Sequence, residues 1–357
     1  VTAPGLHLTR VGGARRIVIG SRSGRLSLRM PFRSALAGTG LLLVSLGVSL
    51  VSLTSGDFPV PVADVLKSLI GQGDAGTDFI VQELRLPRVL ITLLVGAAFG
   101  ASGTIFQGLT RNPLGSPDFV GLTVGAATGA LVVILLLGGG GFGVAIGAIA
   151  GCLATAVAIY LLAFRRGVQP FRLVLMGIGV SALLEAANSY LIYRAQLDEA
   201  VAAQVWLIGS TNGRGWTEVT LVGVAVVVLL PIVLYHGRHL DMLALGDETA
   251  TLHGVPVERS RAVLALSGVG LAAAATAAAG PIAFVALAAG PLAGRLTRSP
   301  HAGILPGALM GAALLSVSDW LAQHAWPGGD IPVGNVTAAL GGIYLTWLLV
   351  HERRRVA

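Results

Sequence analysis

RLPRVLITLLVGAAFGASGTIFQGLTRNPLGSPDFVG, residues Arg85 to Gly121, is the stretch whose reading decides the fold. Two arginines bracket Leu86 and Pro87 at its mouth, and the run leaves through Asn112 and Pro113. Between them lie about 20 largely apolar residues, enough to cross a bilayer as a helix. Gly, Ala and Ser recur through the run, and small residues let a neighbouring helix approach closely in lipid. The stretch predicts a membrane-spanning helix with a packing face.

The rest of the chain has the same character. Of 357 residues, 54% are hydrophobic, 11% are charged and 50 are glycine, and mean hydropathy is +0.81. That composition excludes a soluble globular domain and predicts an all-α, polytopic membrane protein. Apolar runs separated by short polar connections predict ten spans, over 34–54, 86–108, 118–138, 142–164, 172–193, 216–236, 260–279, 280–297, 303–325 and 332–350. Residues 1–34 carry seven arginines and no acid and read as a poorly ordered cytoplasmic tail ahead of a membrane domain covering 35–357. The segment 280–297 holds Pro281, Gly290 and Pro291 and is expected to be short, broken or tilted; Pro332 and Gly334 imply a bent start to the last span. LTRNP (Leu109 to Pro113) recurs as LTRSP (Leu296 to Pro300), a match short enough to be chance or the trace of a duplication.

The charges orient these spans. With both termini in the cytoplasm, 19 of the 24 Lys and Arg residues fall inside, against Lys67, Arg85, Arg88, Arg194 and Arg214 outside; cytoplasmic loops carry such an excess. The polar segment 55–84, rich in Asp and Glu, then lies outside, and Trp216, Trp326 and Trp347 are placed as interfacial anchors.

Enzymatic chemistry finds no footing. The single Cys152 excludes an internal disulfide and a Cys-based metal cluster. Lys67 is the only lysine, so no phosphate-cradling Gly-Lys-Ser/Thr loop is possible. The seven histidines fall in tails, loops or span ends without an HExxH pair, and no metal site is expected. Attention moves to charges within spans. Glu185 and Asn188 lie three apart, with Ser181 a turn earlier, and together read either as a polar strip lining a water-filled path or as buried groups satisfied by a neighbouring helix. Asp319, near the external end of its span, reads as structural.

RLPR, QGLTRNPLGSP, GLTVGAATGA and, further on, GPIAFVALAA (Gly280 to Ala289) resemble, in this order, the permease subunits of ATP-driven importers for ferric siderophores and cobalamin, the FecCD type. The resemblance covers roughly 35–350 and implies the type II importer fold. It also implies uptake of a ferric siderophore across the bacterial cytoplasmic membrane, with cobalamin or haem as alternative cargoes. A proton-coupled secondary transporter using Glu185 is the rival from another class. The implied partners are a second permease subunit, two ATPase subunits that carry ATP-Mg, and an external substrate-binding protein; this chain would bind no cofactor. The resemblance gives Arg85 and Arg88 a role in docking the binding protein through its carboxylates, a role their fork-shaped guanidiniums suit. It likens Leu240–Val257 to paired short helices seated in the ATPase, with Leu243, Leu245, Gly246, Asp247, Glu248 and Gly254 as coupling residues. By its own pattern that segment reads as a helix, a break at Gly246, a second helix capped by Asp247, and a stop at Gly254 and Pro256. The chain departs from the family pattern at Gln323, where some relatives carry an outward arginine, at His253, and at Gly290–Pro291.

Overall fold

The computed structural model describes residues 5–11, 14–20, 27–56, 58–118, 121–164, 170–299, 303–325 and 331–356. Three short antiparallel strands precede the helices: β1 (Gly5–Val11), β2 (Ala14–Gly20) and β3 (Ser27–Pro31), in the order β1-β2-β3. This segment was expected to be a poorly ordered tail; the structure describes a small sheet there. Its sequence basis is visible: GLHLTRV alternates, and RIVIG is rich in the β-branched residues that suit a pleated surface.

The inside-out logic of a membrane protein appears at once in α1 (Phe32–Thr54). Its buried stripe is Ser34, Ala37, Leu41, Ser45, Ser49 and Ser52, while Leu36, Leu42, Leu43, Leu46 and Leu50 point outward. A helix in water would show the reverse; here lipid takes the leucines, and small residues make the protein contact. Seven helices among the described residues are long and apolar enough to cross a membrane.

After α1 come the short helices α2 (Val62–Leu69) and α3 (Ala75–Asp78), the latter capped by Asp74, whose carboxylate accepts the Thr77 N–H. A π-helical segment, Phe79–Arg85, runs directly into α4 (Leu86–Thr110), the helix of the opening stretch. Most of α4 is buried. A Cβ added to Gly96 would lie 2.5 Å from the Gly311 carbonyl oxygen, and one on Gly100 would strike Gly307, so the backbones of α4 and α13 (Ile304–His324) touch through paired small residues. α5 (Leu122–Leu131) and α6 (Phe142–Ala163) meet in the same way through Gly125, Gly129, Gly147 and Gly151. This is close small-residue packing, with dispersion and backbone proximity in place of a hydrophobic driving force.

The remaining elements are α7 (Pro170–Arg194), α8 (Leu197–Ile208), α9 (Trp216–Ala244), α10 (Asp247–Leu252), α11 (Val257–Ala279), α12 (Val285–Thr297) and α14 (Val333–Val356), with α13 between the last two. All ten expected spans have a helical counterpart; two differ notably in extent, and one helix is additional. α5 and the π-helical Val132–Leu136 give a span shorter than 118–138. α9 runs past 236 to Ala244, absorbing what was expected as a separate first coupling helix. α8 was not foreseen; it buries Ala203 and Trp206 against the bundle.

The broken span at 280–297 is broken as expected. Gly280 (φ 78°) and Phe284 (φ 68°) flank a non-helical turn before the 13 residues of α12. The turn is covered by protein: the Ser210 N–H donates to the Ala279 carbonyl, and Gly334 donates to Gly209. Irregular backbone at membrane depth is tolerated only under such cover. Trp216 and Trp347 are partly exposed, as interfacial anchors would be; Trp326 lies outside the described residues.

Candidate functional site

Three groups of polar side chains stand out in an otherwise apolar bundle. The first is at the end of the bundle where α4 begins, expected to be the outer mouth. Arg88, one turn into α4, lies across Asp319 of α13, with Nε 3.2 Å from Oδ2 and Nη2 3.2 Å from Oδ1. Asp319 also accepts from Thr211 at 2.5 Å and from Gln323 at 2.7 Å. The carboxylate side chain is 4% exposed and the arginine side chain 15%, so this is a buried ion pair with its oxygens satisfied. Asp319 is structural, as its position suggested. Gln323 turns inward to it. Arg85 donates to the carbonyls of Leu53 and Phe58 at 2.8 and 2.6 Å, tying the end of α1 and its following loop to α4. Both arginines expected to await a partner's carboxylates thus hold the mouth of this chain together, a use that no local spacing could reveal.

The second group is on α7, whose surface is mostly open. Glu185 is exposed in mid-helix and has no ion-pair partner among the described residues. Asn188 is buried, and its Oδ1 finds no donor among the described residues. Ser181 donates to the Gly177 carbonyl of its own helix at 2.8 Å and packs on Gly121. The three expected to form one strip therefore straddle the edge of the contact face: Asn188 inside, Ser181 at the seam, Glu185 outside.

The third group lies at the opposite end of the bundle, where α4 ends. α9 ends in buried Leu243 and exposed Leu245; Gly246 (φ 115°) turns the chain, and α10 follows until Gly254 (φ 76°) ends it. The positive φ angles are the reason for glycine at both ends. Asp247 does not cap α10: Gly246 occupies the N-cap with no side-chain bond. The Asp247 carboxylate instead meets Arg111 at 2.7 Å and Arg261 at 3.0 Å, while Arg261 also reaches Glu258 at 3.2 Å. Arg111 further donates from Nε to the Leu243 carbonyl at 3.1 Å. Burial opposes ionisation of Asp247, but the hydrogen bonds and charges of Arg261 and Arg111 together outweigh it and hold its pKa below 3.8. Glu248 is exposed beside Leu245 and Leu252, the last 87% exposed. α10 thus presents apolar and acidic side chains outward while its first carboxylate is clamped from behind. Sequence reasoning missed Arg111, Arg261 and Leu252.

The loop that carries Arg111 has its own titratable group. Asp118 is half-buried just before α5, and burial pushes its pKa up to about 6 against the opposing hydrogen bond of Thr123. Nearby, Gln107 donates to the carbonyls of Pro113 and Leu287, both at 2.8 Å. A side chain at Gly290 would collide with the Gln107 Oε1, which accounts for glycine in the variant Gly290–Pro291 pair.

An open carboxylate on a helix long enough to cross a membrane, and a small helix clamped at one end of the bundle, suit a transport protein. The pattern of the FecCD transport family matches residues 41–351. The chain belongs to that family. Among the family's members, the chain is similar to the ferric enterobactin transport system permease protein FepG of Escherichia coli (strain K12), 43% identical over 89% of this chain and 97% of that one. It is 36% identical to the iron(3+)-hydroxamate import system permease protein FhuG of Bacillus subtilis (strain 168), over 88% and 96% of the two chains. A solved structure described as an inward-facing conformation of a metal-chelate type ABC transporter superposes with a TM-score of 0.78 at 28% identity, covering 89% of this chain and 99% of that one. This FecCD chain is therefore a multi-pass membrane permease of the ABC transporter type.

Proposed function

We propose that the chain is one permease subunit of an ATP-driven importer that carries a ferric siderophore across the bacterial cytoplasmic membrane, with both termini in the cytoplasm. The observation that carries this reading is near full-length similarity to siderophore permeases, FepG above all, combined with a segment suited to an ATPase. Leu245, Glu248 and Leu252 are left open on a short helix at the end that the arginine bias assigns to the cytoplasm. A second permease subunit completes the pore, two ATPase subunits bind ATP-Mg beneath Gly246–Gly254, and a binding protein delivers cargo at the Arg85–Arg88 mouth. The chain itself binds no cofactor.

Glu185 supports the shared pore. A lone carboxylate facing lipid at mid-span costs several kcal/mol, about 2.5–3.5 on insertion scales, so the open face of α7 belongs against the second subunit or an aqueous path. Docking by the binding protein then falls on a mouth whose two guanidiniums already brace α1, α4 and α13, and incoming carboxylates share them.

The test is uptake of ⁵⁵Fe in an importer-deficient strain expressing this chain with its ATPase and binding protein, using ferric enterobactin, a ferric hydroxamate and ferric citrate. The expected result is chelate-specific uptake lost when the ATPase lacks its catalytic carboxylate and insensitive to an uncoupler at clamped ATP. Uptake that needs no ATPase and collapses with the proton gradient would establish the secondary-transporter reading in its place.

A further inference from the structure

The repeated word LTR-x-P marks two helix ends of one geometry. Arg111 (φ 52°, ψ 33°) closes α4 and Arg298 (φ 53°, ψ 36°) closes α12, both left-handed. The backbone bonds match as well: Arg111 N–H to Gly108 and Asn112 N–H to Gln107 in one, Arg298 to Arg295 and Ser299 to Gly294 in the other. Glycine is the residue this position favours. Arginine at such a site is held against its own backbone preference, so its side chain needs a reason to be there.

At Arg111 the reason is visible. Its guanidinium spans from the Leu243 carbonyl, at the end of α9, to the Asp247 carboxylate, at the start of α10. α10 has little else to hold it: Ala250 is its one buried side chain, and glycines at positive φ bound it on both sides. Arg261 grips the same carboxylate, but it belongs to α11, the next helix along the chain. Arg111 alone in this cluster brings in an element remote in sequence. That element, α4, is about 37 Å long at 1.5 Å per residue, and near its far end Arg88 is fixed to Asp319 of α13.

We propose that Arg111 is the positioning residue through which movement of the α10 segment enters α4. The ion pair with Asp247, and not helix packing, is the mechanical joint. This rests on reading α10 as the contact with the ATPase. A push on α10 that turns Asp247 must either break its two charged bonds or carry the end of α4 with it. α4 in turn leans on α13 through touching backbones, so the displacement reaches the outer mouth as a rigid-body shift. The αL turn at Arg111 fixes where the guanidinium leaves the helix, and Gly246 supplies the freedom α10 needs to move.

Parent, Arg111→Gly, Arg111→Lys and Gly246→Pro chains are reconstituted in lipid with the second permease subunit, the ATPases and the binding protein. Each complex is assayed for ATP hydrolysis with and without binding protein loaded with the ferric chelate taken up in the assay above. Co-purification of the ATPase and the melting temperature are recorded alongside. Arg111→Gly relieves the backbone and should melt no lower than the parent and keep its ATPase, yet the stimulated-to-unstimulated ratio should fall to unity. Arg111→Lys keeps the charge toward Asp247, loses the forked reach to Leu243, and should retain part of the ratio. A parental ratio in Arg111→Gly overturns the proposal. So does a lowered melting temperature, which would make Arg111 a cap, or loss of the ATPase, which would make it a docking residue. Gly246→Pro separates the two levels: lost stimulation there with a parental ratio in Arg111→Gly leaves the segment as coupler and removes Arg111, whereas stimulation intact in both removes the segment too.

Discussion

Replacing Asp319 by Asn should destabilise the chain strongly, because it breaks a buried ion pair from one side. The substitution keeps the side chain's shape, but it exchanges one of the two oxygens that accept from Thr211 and Gln323 for an NH2 donor and leaves the Arg88 guanidinium, whose side chain is 15% exposed, facing an uncharged amide. Breaking a buried pair from one side costs about 3–5 kcal/mol, because the surviving charge stays desolvated. Arg88→Met should cost a similar amount by stranding the carboxylate, whose side chain is 4% exposed. With Asp319→Leu added as the single that closes the cycle, the double variant Arg88→Met with Asp319→Leu removes both stranded charges. It should cost less than either single change, a coupling that a double-mutant cycle reads directly. The assay is the fraction remaining monodisperse in detergent after heating, fitted for parent, the singles and the double. Singles within about 1 kcal/mol of the parent would give the pair the worth of an exposed salt bridge and refute the claim that it braces the outer mouth.

Glu185→Gln should alter uptake while leaving yield and melting within about 0.5 kcal/mol of the parent, as for a surface change; uptake at the parental rate over several pH values would remove Glu185 from the path. Asp118→Asn tests a pH effect. The folded pKa of about 6 lies above the ordinary 3.8, so the wild-type group imposes no penalty below 3.8 and loses stability as pH rises through 6. The amide should therefore gain on the order of 1–3 kcal/mol at pH 8 and nothing at pH 3.5; an equal effect at both would refute the assignment. Asp247 moves oppositely: its contribution, fully present above 3.8, fades only as pH falls through a lower folded pKa, so coupling should be flat from pH 5 to 8. For topology, Gln72→Cys and Arg354→Cys on a Cys152→Ala background should label from opposite sides of the membrane, and labelling from one side would break the ten-span arrangement.

How much of this was legible depends on which signal membrane packing leaves in sequence. Span positions were readable because apolar length is set by the bilayer, and the packing face of α4 was readable from its small residues, although its partner α13, met through Gly307 and Gly311, was not. Helix ends were not: nothing in YHGRHLDMLA says that α9 continues to Ala244 past a polar stretch, since a helix leaving the membrane may stay helical in the aqueous layer. Nor could periodicity separate lipid-facing from buried positions, because both are largely apolar; in α1 the buried stripe carries four serines beside Leu41 and Leu53, while most of the leucines face outward.

The site residues divide along the same line. Gly246 and Gly254 were identifiable because a positive φ demands glycine locally. The roles of Arg85, Arg88 and Asp247 were not, because each is fixed by a partner in another element: Leu53, Asp319, and Arg111 136 positions away. A charged residue beside an apolar run announces that it must be satisfied, but sequence alone leaves open whether another subunit or the same chain satisfies it. In this chain the outer and inner polar clusters are both closed internally, and both close onto α4. A permease that must pass a push from one face to the other needs such a member, fixed by charge at each end and by bare backbone contact along its length, and the glycines of the opening stretch are what let α4 lie close enough to serve.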